Sequence, residues 1–298
     1  MGTAGAAGTA AGWLFFLLLL IAIGSVGTRW LILPRVHGAQ DRPRLVTLTA
    51  RIGLIASLGL LPALLGLFLR QVGELRFPGE AWLHAAQTLR DTSWAAAWWL
   101  AVFAAVVGVL GFGVASMSRP GPAARGVAWG TATVALLPLA FFPGRTGHAN
   151  GAEARALGLS LDAVHVVSAG LWIGGLGVLL LLTLRRRGGA DILTSLVPKF
   201  SPVAIGSVGL LVASGTAAAW RELEGLDSLW QTGYGRLLVL KVALVGGVLL
   251  LGAINWRRLS PRLGSEPGNR AMRRSATVEF LLANVVLIVT AILVRASP

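Results

Sequence analysis

Cysteine is absent from this 298-residue chain, and tyrosine, methionine and histidine number one, three and four. The missing cysteine excludes disulfides, thiolate metal sites, cysteine nucleophiles and iron–sulfur clusters. Charge is also thin. Only 13% of residues are Asp, Glu, Lys or Arg, about half the density that a soluble domain of this length carries. Acids are the scarcer sign, 12 against 26 basic residues. A net charge of +14 on a soluble protein would point to nucleic acid. Here the arginines sit in short tracts between apolar blocks, so they read as topology signals and contacts to anionic lipid. No basic soluble domain exists to bind nucleic acid.

What fills the chain instead is apolar. Hydrophobic residues make up 55% and the mean hydropathy is +0.74. They come in blocks of about 20, enough to cross roughly 30 Å of hydrocarbon as helix. No ten-residue alternation of the barrel kind is present, and helices satisfy their own backbone polar groups in lipid. The sequence therefore predicts an all-α integral membrane protein, a single polytopic domain over 1–298. Spans are expected near 13–33, 45–69, 95–117, 126–142, 160–184, 200–220, 236–256 and 276–294. The first block follows twelve residues without a positive charge, so it is expected to be retained as a helix rather than cleaved as a signal peptide.

The tracts 34–44, 118–125, 185–199 and 257–274 carry 15 Lys and Arg against 8 in the alternate tracts and the tail. The positive-inside rule makes the first set cytoplasmic and puts both termini on the non-cytoplasmic side. A short helix over 79–93, with Trp82, Ala86 and Leu89 on one face, is expected to lie along that outer interface.

Polar groups within spans need a partner or a function. Asp162 and His165 open the fifth span at spacing i,i+3 and share a helical face that continues through Trp172. Gly170, Gly174 and Gly177 form a second face suited to close helix–helix contact. His165 reads either as a metal ligand, with Asp162 as co-ligand or tautomer-fixing partner, or as a histidine hydrogen-bonded between helices. His148 and Glu153, in the preceding outer loop, add an imidazole and a carboxylate on the same membrane face. Two imidazoles with carboxylates suit Cu(II) or another borderline cation. His84 is a weaker third imidazole, and His37 reads as a headgroup contact. Lys241, in the outer part of the seventh span, is either a snorkelling partner of Asp162 or a charge that gates the site. Arg29, Arg51 and Glu279 are expected in the cytoplasmic half, where one Arg–Glu pair would be structural. Met1, Met117 and Met272 supply no thioether pair within a span, so a soft Cu(I) relay cannot be built from them.

The runs TGHAN, LDAVHVVSAGLWIGGLGVLLLL, FSPVAIGSVGLLVASGTAAAW and LWQTGYGRLLVLKVALVGGVLLLGAINWRRLSPRL resemble, in order and spacing, the CopD copper-resistance family of bacterial membrane proteins. The resemblance covers about 146–262. It implies an eight-span, multi-pass protein of the bacterial plasma (inner) membrane that handles copper as its bound ion and acts as a transporter, not an enzyme. It also implies a periplasmic copper donor of the CopC type, expected as a separate chain. By position, His148 and His165 carry over from the family's Gly-His and Asp-x-x-His motifs. Asp162, Trp172, Tyr234 and Lys241 match patterned positions. Two other classes stay open: a haem-binding redox protein, which needs axial histidines facing each other from different spans, and a membrane scaffold or assembly factor that binds no metal.

Overall fold

The computed structural model describes residues 3–36, 42–118, 121–146, 155–184, 189–222 and 227–294. Every regular element among them is helical. Eight helical segments are long and apolar enough to cross a membrane, and each overlaps one span expected from the sequence: Ala6–Arg35, Arg42–Leu75, Ser93–Ser116, Pro122–Thr146, Ala156–Thr183, Ile192–Arg221, Gly233–Arg262 and Glu266–Leu293. The chain is a multi-pass membrane protein.

The helices are α1 (Thr3–Gly27), α2 (Arg42–Leu75), α3 (Trp82–Arg90), α4 (Ser93–Ser116), α5 (Pro122–Thr146), α6 (Arg155–Ala169), α7 (Gly175–Leu184), α8 (Gly189–Glu222), α9 (Ser228–Gln231), α10 (Gly233–Ile254) and α11 (Glu266–Leu293). Among the described residues three π-helical stretches interrupt the spans. Thr28–Ile32 continues α1, Gly170–Gly174 joins α6 to α7, and Asn255–Leu259 continues α10. Helix starts are set by local chemistry. Thr92 caps α4 by accepting from Ala95 N–H at 3.2 Å, and Thr232 caps α10 by accepting from Gly235 N–H at 2.9 Å. Ser265 does the same for α11, with a proline in its first turn. Prolines stand inside α2, α5 and α8, as membrane-spanning helices tolerate.

The interior is built from small residues and rings. Lipid tails are as apolar as leucine, so spans associate through close packing rather than through the hydrophobic effect. The first span occupies the centre. It packs on α2, α5, α11 and the Gly170–Gly174 stretch. At that last contact Gly24 and Gly174 face each other, and a side chain at either would collide with backbone of the opposite segment. Gly170 and Gly177 receive Ile23 and Ile21 in the same seam. The glycine face expected from the sequence is therefore a contact with the first span. A second close approach pairs Gly111 of α4 with Ala132 of α5, beside the edge-to-face Phe112–Trp129 pair at 5.5 Å.

Helix α3 exists as expected, but its packed face differs. Ala85 and Leu89 are buried against Val72, with Phe68, Ala86 and Trp94 around them. Trp82 is instead 51% exposed beneath the Arg76 guanidinium, 4.9 Å from the ring. The seventh span is the least embedded. Within α10 only Tyr234, Gly235 and Val248 are buried, and it packs chiefly on α11.

Candidate functional site

At one end of the bundle α6 packs on α5 and α8. Asp162 packs against the backbone of α5, where Gly144 leaves room: a methyl there would lie 2.7 Å from Asp162 Oδ2. One turn further along α6, the His165 ring lies against Gly215 of α8, whose missing side chain makes the same kind of space. Lys241 of α10 interacts electrostatically with both Asp162 and His165. The structure thus brings together three of the polar residues singled out from the sequence, two on the fifth span and one on the seventh.

The hydroxyl of Ser214 defines the state of the imidazole. Its proton goes to the Leu210 carbonyl at 2.7 Å, leaving the oxygen as an acceptor 3.3 Å from His165 Nδ1. The Leu211 carbonyl, another acceptor, lies in reach of the same ring. With the Ser214 proton directed to Leu210, the neutral tautomer that suits this contact carries its proton on Nδ1. The lone pair is then on Nε2, the arrangement in which histidine binds a metal. Sequence reasoning missed Ser214. The signal was the Ala-Ser-Gly-Thr run within an apolar span, where a serine beside a helical glycine marks a place that another side chain enters.

Tyr234 is buried just beyond this end. Gly235 beside it lets α10 approach Leu229 of α9 too closely for any side chain, and Thr232 caps the turn. The Thr-x-Tyr-Gly motif therefore sets the angle at which α10, and with it Lys241, enters the bundle.

Other expected residues stand elsewhere. His148 and Glu153 lie outside the described residues, as does His37. His84 sits on α3, where its Nδ1 is 2.7 Å from Glu80 Oε1 and its side chain is 71% exposed. Among the described residues no three His, Cys, Asp or Glu side chains are grouped closely enough to hold a metal. Trp172 shares the α6 face only by sequence spacing. In the fold its indole donates to Glu279 of α11. Glu279 also accepts from Asn255 Nδ2 at 2.6 Å, so the expected arginine–glutamate pair does not form. Arg51 is exposed, and the Arg29 guanidinium stacks on Trp30 at 4.7 Å.

Comparison with known proteins adds the chemistry. Residues 194–293 match the family described as Copper resistance protein D. Over that stretch the chain is similar to the CopD family. That CopD match includes Ser214, Gly215, Tyr234, Lys241, Asn255 and Glu279, while Asp162, His165 and Trp172 lie upstream of it. Copper transport protein CutJ of Bacillus subtilis (strain 168) is 32% identical over 163 residues, a stretch that covers 52% of this chain and 29% of the relative. The chain thus spans less than a third of that relative. No solved structure matches.

Proposed function

We propose that this protein moves copper across the bacterial plasma membrane, taking the ion up at the Asp162–His165 end of the bundle. The observation that carries the reading is the His165 ring held through Nδ1 by Ser214, one turn from the Asp162 carboxylate, in a chain that matches the CopD family over 194–293. The name of the similar Bacillus protein points the same way. The lysine gives the site a working principle. With no ion present, the Lys241 ammonium neutralises Asp162. An arriving copper ion takes over that role and binds Nε2 of His165, and the lysine is released. Mutual repulsion makes the two occupancies exclusive.

Orientation follows from the loop charges. The Asp162 end faces outward and both termini lie outside, with the arginine-rich tracts against anionic lipid of the cytoplasmic leaflet. A separate CopC-type periplasmic protein is the donor that such a mouth would meet, and His148 in the adjoining loop is the residue we expect to receive the ion first.

Cellular copper accumulation tests the reading. His165→Ala should lower accumulation by about tenfold or more relative to wild type at equal protein level, because a binding ligand is lost. Equal accumulation by wild type, variant and a deletion strain would sink the transport reading. Ser214→Ala probes the tautomer. It should leave folding intact and weaken copper binding in detergent titration by about tenfold, and unchanged affinity would show that Ser214 does not position the ring.

A further inference from the structure

The other polar cluster lies deeper, halfway along α11, and the transport reading makes no use of it. Glu279 is 4% exposed. It lines a cavity of about 320 Å³ between the fifth, sixth, seventh and eighth spans, with Trp172, Asn255, Ser201, Trp256 and Met272 among the walls. No Lys, Arg, His or Asp lines that cavity, and no ion pair among the described residues involves Glu279. Its facing groups from the packed elements are an indole N–H of the fifth span and a carboxamide of the seventh. A carboxyl group at this depth without a counter-cation is costly as an anion.

Asn255 shows how the cost is met. The residue is 8% exposed, and its Oδ1 is buried with no hydrogen-bond partner. A carboxamide presents either a donor or an acceptor to the same neighbour by a half-turn about its last torsion. With Nδ2 forward it donates to the ionised carboxylate. With Oδ1 forward it accepts from the protonated acid. The 2.6 Å separation is short for N–H···O, whose usual range begins near about 2.7 Å, and ordinary for O–H···O. Both hydrogen-bonding partners, Trp172 and Asn255, lie in π-helical stretches, local widenings that recur at functional positions in helices.

We propose that Glu279, Asn255 and Trp172 form a proton-exchange site, in which the Glu279 carboxyl takes up and gives up a proton through the cavity while the Asn255 carboxamide turns to suit each state. The proton moves between Glu279 Oε2 and water in the cavity, and no other bond changes. Trp172 donates throughout and holds the carboxyl in place. The site does not depend on copper being the cargo.

Dicyclohexylcarbodiimide, which reacts with protonated carboxyls in apolar surroundings, is the probe for the full-length protein in detergent, with mass spectrometry locating the adduct. Glu279 should be modified, with labelling that falls at least tenfold as pH is raised across the range in which the protein stays folded. Infrared difference spectra over the same range should show a protonated-carboxyl carbonyl band that Glu279→Gln removes. Asn255→Leu, which removes the amide and keeps the volume, should shift the midpoint of the labelling curve by one pH unit or more. An intact fold in which Glu279 takes no label and Glu279→Gln leaves the infrared spectrum unchanged would overturn the proposal. So would labelling that is insensitive to both pH and Asn255→Leu.

Discussion

Replacing Gly174 by alanine should cost about 4 kcal/mol or more and leave little folded protein in detergent, the upper end of what single substitutions do. The reason lies in the seam between the first and fifth spans. A methyl at position 174 meets the carbonyl oxygen of Leu20, and one at position 24 meets the backbone of Gly174 itself. Backbone cannot yield as a flexible side chain can, so the two spans must separate. Separation forfeits the dispersion contacts that hold membrane helices together in place of a hydrophobic driving force. It also displaces the helix around which α2, α5 and α11 are arranged. Gly206→Ala is the matched control. No atom lies within 4 Å of a methyl placed there, and alanine is the better helix former by about 0.5–1 kcal/mol. Size-exclusion profiles and thermal unfolding of the two variants should therefore move in opposite directions. Similar behaviour of both would refute the seam as the organising contact.

The second large effect concerns the pair at the candidate copper site. Asp162→Asn should destabilise the protein by about 2 kcal/mol, because it takes the neighbouring carboxylate from the half-buried Lys241 ammonium, and breaking a fully buried pair costs about 3–5 kcal/mol. Asp162→Asn/Lys241→Met should recover most of that loss, since replacing both charges by groups of similar volume is often neutral or better. Thermal unfolding of the wild type, both single variants and the double variant closes the cycle. A double variant no more stable than Asp162→Asn would mean that the two residues do not compensate each other. The double variant also separates stability from function. It should fold well and still bind copper more weakly than wild type, having lost the carboxylate.

The spans were legible because a hydrocarbon layer about 30 Å thick leaves few solutions, and each of the eight expected segments overlaps one observed helical span. The glycine stripe at 170, 174 and 177 was legible as a contact face for the same kind of reason, since small residues at helical spacing have few other uses. Its partner was not, because the Gly24 that completes it reads as one more residue of an apolar run. Asp162 and His165 were visible as charges within a span. Ser214 and Gly215 were not, because one accepts a hydrogen bond and the other only makes room, and neither role leaves a mark in hydropathy. The arginine expected opposite Glu279 was a choice made on charge alone. Depth along the helix could not distinguish an ionic partner from a carboxamide and an indole brought in by π-helical turns. On α3 the helical wheel favoured Trp82, whereas the tight contact with Val72 admits Ala85 and sends the larger ring to a cation at the surface.

The sparse embedding of α10 has a consequence for how such a molecule would work. A helix with three buried residues is solvated mainly by lipid, and lipid resists small tilts and slides only weakly. Its position is then set by two attachments: Lys241 to Asp162 near one end, and Asn255 to Glu279 near the other. Under the two proposals above, each is an interaction whose strength would change when an ion or a proton arrives. The seventh span is thus tethered at two points whose hold depends on what is bound, and loading one point shifts the balance of tension on the other.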